Sequence, residues 1–225
     1  MNDLPRPSKI LCVGKNYTAH AAEMGGEVPP EPLLFFKPPS ALIGHGDAIV
    51  VPAGVGRVDY EGEIAVIVGR RARRIREEDA WSHLSHVVPL NDVTARDLQR
   101  TDDQWARAKG FDTFCAVGRP APLDAVDVDA LSVTTRVNGE ERQRGRASDM
   151  AYPIPFLLAF ASRIMTLEPG DILTTGTPDG IGPLQPGDVV EVEIPGVGVL
   201  RNPVVAEEGA QDALDVAARG AGSRA

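Results

Sequence analysis

The sequence predicts an α+β fold dominated by strands, on three observations. Nineteen prolines and 23 glycines cut the 225 residues into short pieces, the mark of many strands joined by turns. The apolar runs between these breaks are short and rich in valine and isoleucine. Only 154–165 carries the stripe of a longer amphipathic helix. A chain of 225 residues can bury one substantial core. One unit over 1–205 is therefore expected, with 206–225, rich in alanine, glycine and acidic groups, as a frayed tail.

Strands are expected at 10–13, 33–36 and 48–51, with a short helix at 18–24 closed by Gly25 and Gly26. The clearest strand is 60–68, and a further apolar run, 87–90, ends at Asn91 and Asp92. A helix is expected near 94–108. The strand at 131–137 runs into Asn138-Gly139, a strong hairpin signal, and a polar continuation. Pro153 opens the 154–165 helix, whose Ile154, Leu157, Leu158, Ala161, Ile164 and Met165 share one stripe. Strands at 172–175, 189–194 and 197–205 complete the set.

Composition excludes several classes of function. Hydrophobic residues make up 43% and charged residues 24%, ordinary for a globular protein. The net charge is −9, and the basic run Arg70, Arg71, Arg73, Arg74 stands before Glu77, Glu78 and Asp79. A solvated turn accounts for it, and no nucleic-acid partner is expected. No segment approaches the roughly 18 apolar residues of a membrane span, and the N-terminus lacks a signal peptide's apolar region. A cytoplasmic protein without a membrane partner is expected. Cys12 and Cys115 stand among apolar neighbours and read as buried, inert thiols.

Glu61 and Glu63 carry the first chemical signal. Period-two alternation puts both on one strand face, with Cα atoms roughly 6.5 Å apart, and that face turns apolar beyond them at Ala65 and Ile67. Two like charges there repel and must be desolvated, which a hard cation relieves. An exposed edge strand with glutamates facing water is the alternative. Asp92, at the end of the next apolar run, supplies a third carboxylate, unless it serves only to cap the helix after it. Three carboxylates with open positions suit Mg²⁺ or Mn²⁺, and Ca²⁺ is also compatible with oxygen ligands. Zinc would want histidine or thiolate. His20 and Glu23 would lie at i and i+3 on one helix face, where the carboxylate can orient the imidazole as a general base; an exposed, solvated surface helix is the alternative that spacing alone favours.

At these residues the chain resembles the fumarylacetoacetate hydrolase family, especially its short single-domain acylpyruvate hydrolase and 2-hydroxyhepta-2,4-diene-1,7-dioate isomerase-like members. The resemblance rests on ILCVGKNY at 10–17, DYEGE at 59–63, DVTARDLQ at 92–99 and TTGTPDGIG at 174–182. It runs from about residue 10 to 205. It implies a mixed β-sandwich roll with a few short helices, a homodimer, and Mg²⁺ or Mn²⁺ held by Glu61, Glu63 and Asp92. Substrate-side residues then fall on Arg96, Gln99 and Thr177, and catalytic ones on Lys109 and the His20–Glu23 pair. Many relatives carry histidine where Asp59 stands and a larger residue at Gly62; neither position is a ligand.

The activity so implied is hydrolysis of the C–C bond of a β-diketo acid, an acylpyruvate such as fumarylpyruvate or acetylpyruvate, to pyruvate and a carboxylic acid. Oxaloacetate decarboxylation and isomerisation of a hydroxymuconate-type diacid use the same metal-enolate chemistry and are the enzymatic alternatives. A non-catalytic metal- or ligand-binding module would be expected to lack one of Glu61, Glu63, Asp92, Lys109 or His20, and all are present. An oxygenase with a facial triad would want two histidine ligands. Phe35, Phe36, Tyr152 and Phe156 are candidates for an apolar pocket wall, with core packing as the competing role.

Overall fold

The computed structural model describes residues 6–208; nearly all of the tail expected at 206–225 lies outside them. The first β-strands are β1 (Ile10–Gly14), β2 (Leu33–Lys37), β3 (Leu42–Ile43), β4 (Ile49–Val51), β5 (Val58–Tyr60) and β6 (Gly62–Val68). Then come β7 (Leu84–Asp92), β8 (Thr94–Ala95), β9 (Cys115–Val117), β10 (Ala121–Pro122), β11 (Ser132–Val137) and β12 (Glu140–Arg146). The last are β13 (Ile172–Thr174), β14 (Gly182–Pro183), β15 (Val189–Ile194) and β16 (Gly198–Ala206). Among the described residues four α-helices interrupt them: α1 (Thr18–Glu23), α2 (Arg96–Thr101), α3 (Ala106–Lys109) and α4 (Ile154–Ile164).

The main sheet runs β2-β1-β13-β6-β7-β9-β3, with β10 also paired to β7. It is mixed, because β1 lies parallel to β13 and β3 to β9 while the other pairs are antiparallel. A five-stranded sheet, β12-β11-β15-β16-β4, packs on one face of it. Leu11, Ile64, Val66 and Leu173 from the first meet Val133, Val192, Ile194 and Leu200 from the second, and Leu157, Leu158 and Ala161 of α4 join them. The opposite face holds Cys12, Ala65, Ile67, Leu90, Cys115 and Val117. This is the strand-dominated α+β roll expected from the sequence, with both faces of its central strands removed from water.

Several sequence expectations change in detail. The strand predicted at 60–68 is two strands broken at Glu61. β5 pairs with β14 and β8 in a small third sheet, whereas β6 pairs with β13 and β7. The chain changes sheets at that residue. Because β6 is interior, the reading of an exposed edge strand fails. The helix expected near 94–108 is split, since Asp102 leaves α2 with an extended backbone (ψ 135°). Asp92 caps no helix: it ends β7, and the N-cap of α2 is Ala95, with no side-chain cap.

The Asn138-Gly139 signal is realised as a hairpin between β11 and β12, both turn residues having positive φ (53° and 80°), as a type I′ turn requires. β12 itself gave no apolar alternation, because only Gln143 and Gly145 of its seven residues are buried.

Candidate active site

The switch of sheets at Glu61 is what creates the site. Glu61 N–H donates to Asn91 Oδ1 at 2.9 Å, and Gly62 N–H to Gln143 Oε1 at 2.9 Å. Side chains thus satisfy the backbone where the ladder is interrupted. Only glycine fits at 62, since a Cβ there would lie 1.9 Å from Thr135 Oγ1. The main chain of β6 can therefore approach β11 closely enough to bury both neighbouring glutamates.

Glu61, Glu63 and Asp92 are all buried, and one carboxylate oxygen from each lies within 4.8 Å of the others. Glu61 Oε1 accepts from Arg96 Nη2 at 2.6 Å and from Thr94 Oγ1 at 3.1 Å, while its Oε2 accepts from Lys109 Nζ at 2.8 Å. Lys109 also donates to Asp92 Oδ2 at 2.7 Å, and Lys37 to Asp92 Oδ1 at 2.5 Å. Arg96 extends the network to Asp59 Oδ2 at 2.9 Å and Gln99 Oε1 at 2.5 Å. Glu63 has no cationic partner among the described residues; its Oε2 accepts from Gly176 N–H at 2.8 Å.

These environments push the carboxyl groups apart. Burial works against the ionised form of Glu61, but Lys109 and Arg96 outweigh it and hold that carboxyl well below the usual range. Burial and the Asp92 and Glu61 charges drive Glu63 well above it. Burial opposes the charge on Lys109 and Arg96 too, yet the neighbouring carboxylates keep both protonated. Four buried acids, Asp59, Glu61, Glu63 and Asp92, face three buried bases, Lys37, Arg96 and Lys109. The unbalanced acid is Glu63. An all-oxygen donor set with one carboxylate in excess fits a hard divalent cation, which would restore Glu63 to its charged form.

Beside the carboxylates opens a cavity of about 170 Å³ lined by His20, Phe35, Arg96, Gln99, Lys109 and Thr177 among others. His20 is 5% exposed, and its Nδ1 lies 3.1 Å from Glu23 Oε2. Glu23 accepts in addition from Gly180 N–H at 3.1 Å. The short helix α1 therefore presents an imidazole whose Nδ1 is engaged, leaving Nε2 for chemistry. Thr177 Oγ1 donates to Gly62 O at 2.9 Å and accepts from Gln143 Nε2 at 2.8 Å. Its hydroxyl thus ties the 174–182 turn to β6, and its backbone N–H is the group left for an anion.

Phe35 is the one aromatic wall candidate at the cavity; it stacks edge-on with Trp105 (centroids 5.2 Å apart) and lies 5.0 Å below Lys109 Nζ. Tyr152, just before α4, instead stacks on Phe156 within it, and Phe36 is 47% exposed on the edge strand β2. Lys37, Asp59, Gln143 and Trp105 were not singled out as site residues by sequence reasoning. For Lys37 a signal existed: a lysine ending the apolar run Leu33–Lys37 must bury its charge or find a partner. Cys12 and Cys115 are buried as expected, and burial pushes the Cys115 thiol up to about 12.

Residues 9–205 match the family described as fumarylacetoacetate (FAA) hydrolase C-terminal. The chain is 44% identical to oxaloacetate tautomerase YisK of Bacillus subtilis over 215 residues, covering 89% of this chain and 71% of that protein. Among solved structures it is similar to a 5-carboxymethyl-2-hydroxymuconate delta-isomerase from Mycobacterium smegmatis, with TM-score 0.83 and 44% identity over 90% of this chain and 80% of that one. A fumarylpyruvate hydrolase from Pseudomonas aeruginosa, in complex with Mn²⁺ and pyruvate, gives TM-score 0.86 and 30% identity over 91% of each chain.

Proposed function

The chain belongs to the fumarylacetoacetate hydrolase family, and we propose that it is a divalent-metal enzyme moving a proton on a small 2-oxo acid, keto–enol tautomerisation of an oxaloacetate-like substrate being its reaction. The observation that carries this reading is His20, held through Nδ1 by Glu23 in the same cavity as Glu61, Glu63 and Lys109. Relatives named oxaloacetate tautomerase at 39–44% identity support the choice of reaction.

Glu61, Glu63 and Asp92 would hold Mg²⁺ or Mn²⁺. Such a cation, when bound, supplies Lewis-acid polarisation of the substrate carbonyl. The protein's part is proton transfer and charge. His20 Nε2 takes the proton from the carbon beside the carbonyl and returns it to oxygen, or the reverse. Glu23 stabilises the imidazolium between the two steps. Lys109 and Arg96, already charged and dry, offset negative charge growing on the substrate oxygen. The aromatic wall of Phe35 and Trp105 keeps water from the reacting carbon.

A second reading has His20 take its proton from water, so that hydroxide attacks the distal carbonyl of an acylpyruvate and C–C cleavage gives pyruvate and a carboxylic acid. The same dyad geometry and the fumarylpyruvate hydrolase relative support it, while the relatives named hydroxymuconate delta-isomerase and 2-hydroxyhepta-2,4-diene-1,7-dioate isomerase support diacid isomerisation by the same proton transfer. Residues 1–205 form the catalytic unit in either reading, in a cytoplasmic homodimer whose assembly is tested by sedimentation.

Metal-stripped protein resupplied with Mg²⁺ or Mn²⁺ should be assayed with oxaloacetate, acetylpyruvate and fumarylpyruvate, following enol absorbance and pyruvate. Metal-dependent loss of the oxaloacetate enol without pyruvate supports the tautomerase. Pyruvate from an acylpyruvate moves the assignment to the hydrolase. No turnover of any of the three sinks both.

A further inference from the structure

The cavity has two ends of opposite character. Its floor is the carboxylate cluster, whose cations are all spoken for: Arg96 by Asp59 and Glu61, Lys109 by Glu61 and Asp92, Lys37 by Asp92. Its lining also includes Lys15 and Arg100, which play no part in that network. Lys15 directly follows β1 and is half-buried. Among the described residues no carboxylate lies within ion-pair distance of it. Its backbone sits in the left-handed region (φ 55°), a conformation costly for a residue with a side chain. Its Nζ lies against Gly26, just past the end of α1, 3.3 Å from where a Cβ on that glycine would be. A charged side chain held there by a strained backbone, with no acidic partner, is placed for a ligand.

Arg100 reaches the same cavity from another element. It follows Arg96 by one turn of α2, so the two share a helix face. Arg96 is buried, whereas the Arg100 side chain is 62% exposed and among the described residues has one ion pair, with Asp97 at 3.8 Å. The inner arginine is committed to the floor, and the outer one is held only by this long, exposed contact.

We propose that Lys15 and Arg100 form the subsite that reads a second carboxylate, making this enzyme selective for 2-oxo diacids over 2-oxo monoacids. The inference rests on the reading above and places the 2-oxo acid end of the substrate at the carboxylate floor, where its carbonyl would be polarised. The distal carboxylate then extends toward the mouth, where an ammonium and a guanidinium can each donate to it. A monoacid of the same length would leave both cations facing a methyl group and lose those bonds. Met24 and Trp105, also in the lining, limit the length of chain between the two ends.

The test compares oxaloacetate with 2-oxobutanoate, in which a methyl group replaces the distal carboxylate. Calorimetry on Mn²⁺-loaded protein would use the difluorinated forms of both, which have no proton to lose. Wild type should bind the diacid at least tenfold more tightly. Lys15→Met and Arg100→Met should each lower diacid affinity about five- to thirtyfold, the range for a charge-assisted bond partly exposed to water, and leave monoacid affinity within twofold. In turnover of oxaloacetate the loss should fall on KM rather than kcat. Equal affinity for diacid and monoacid in wild type, or variants that weaken both ligands alike, would overturn the subsite. Diacid-selective binding that depends on Lys15 and Arg100, in protein that turns over nothing, would keep the subsite and refute the proposed reaction instead.

Discussion

Replacing Glu63 with glutamine separates the cost of the carboxylate cluster from its use. Unit charges within 4.8 Å of one another repel by at least about 3.5 kcal/mol at an effective dielectric constant near 20, and an ionised Glu63 would face two of them. In metal-free protein burial first, and then the Asp92 and Glu61 charges, raise the Glu63 pKa, so the group keeps its proton. The sign follows. The unfolded chain loses this proton near pH 4.5 while the folded one retains it, so the folded state binds more protons above that pH. Stability of metal-free wild type should fall as pH rises from about 5 toward the raised Glu63 pKa. Glu61, shifted downward, contributes nothing over this interval, its stabilisation being lost only below about pH 4.5. Glu63→Gln should remove the pH-dependent fall and match or exceed wild type at pH 8 in chelator. With Mn²⁺ at a hundred times its dissociation constant, wild type should gain about 2.7 kcal/mol. For about 200 ordered residues that is about 6 °C in Tm, and the variant should gain almost none. Thermal melts at pH 5.5 and 8, with chelator and with Mn²⁺, measure all of this. A full metal-induced shift in Glu63→Gln, or metal-free wild type equally stable at both pH values, would refute the charge argument.

His20→Ala should lower kcat by about 10²- to 10⁴-fold while leaving the Mn²⁺-induced Tm shift intact; loss of that shift would place His20 in the metal site instead. Lys37→Met strands Asp92 with one fewer buried partner and should cost about 3–5 kcal/mol, read by denaturant unfolding, with a cost below 1 kcal/mol as the contrary result. Gly62→Ala drives a methyl into Thr135 Oγ1 and should cost about 1–3 kcal/mol, part of it recovered in the double variant with Thr135→Ala; no recovery would mean the strain lies elsewhere. Cys12 and Cys115 should stay unlabelled by a thiol reagent at pH 8 until the protein unfolds, since burial raises both thiols.

Most of the fold was legible because its strands are set by local apolar runs bounded by glycine and proline. Eight of the predicted strands recur within a few residues of their expected ends, and the helix after Pro153 starts at Ile154 as its stripe required. What escaped were elements whose pairing is set from outside. β12 is polar on its own account and exists because Asn138-Gly139 returns it along β11. β5 and β6 read as one strand because nothing local to Tyr60, Glu61 and Gly62 announces that the partners on either side of Glu61 belong to different sheets. Within the site, alternation and like-charge repulsion singled out Glu61 and Glu63, whereas Asp92 joined them from the end of the next apolar run and through the family resemblance; the structure groups the three carboxylates. For Lys37 the sequence showed only a charge in need of a partner, and that the partner is Asp92, or that Asp59 meets Arg96, is set by the way distant elements pack.

The interruption at Glu61 also explains why a site this charged can sit in the core. A continuous strand would commit the N–H of residues 61 and 62 to ladder bonds and leave the carboxylates to be desolvated by apolar neighbours alone. With the ladder broken, Asn91 and Gln143 take those N–H groups, and β8 and α2 enter beside the gap with Thr94 and Arg96. The same gap admits Lys109 at the end of α3. The buried cations are shared among Asp59, Glu61 and Asp92, and of the site's carboxylates Glu63, on the uninterrupted strand past the gap, is the one without an ion pair among the described residues. It accepts instead from the backbone of the 174–182 turn at Gly176, and Gly180 in the same turn donates to Glu23. Charge on Glu63 and position of the His20–Glu23 pair are thereby linked through one short loop. Were a cation held by Glu61, Glu63 and Asp92, the ionised Glu63 would accept more strongly from Gly176 and so steady the turn against which α1 rests.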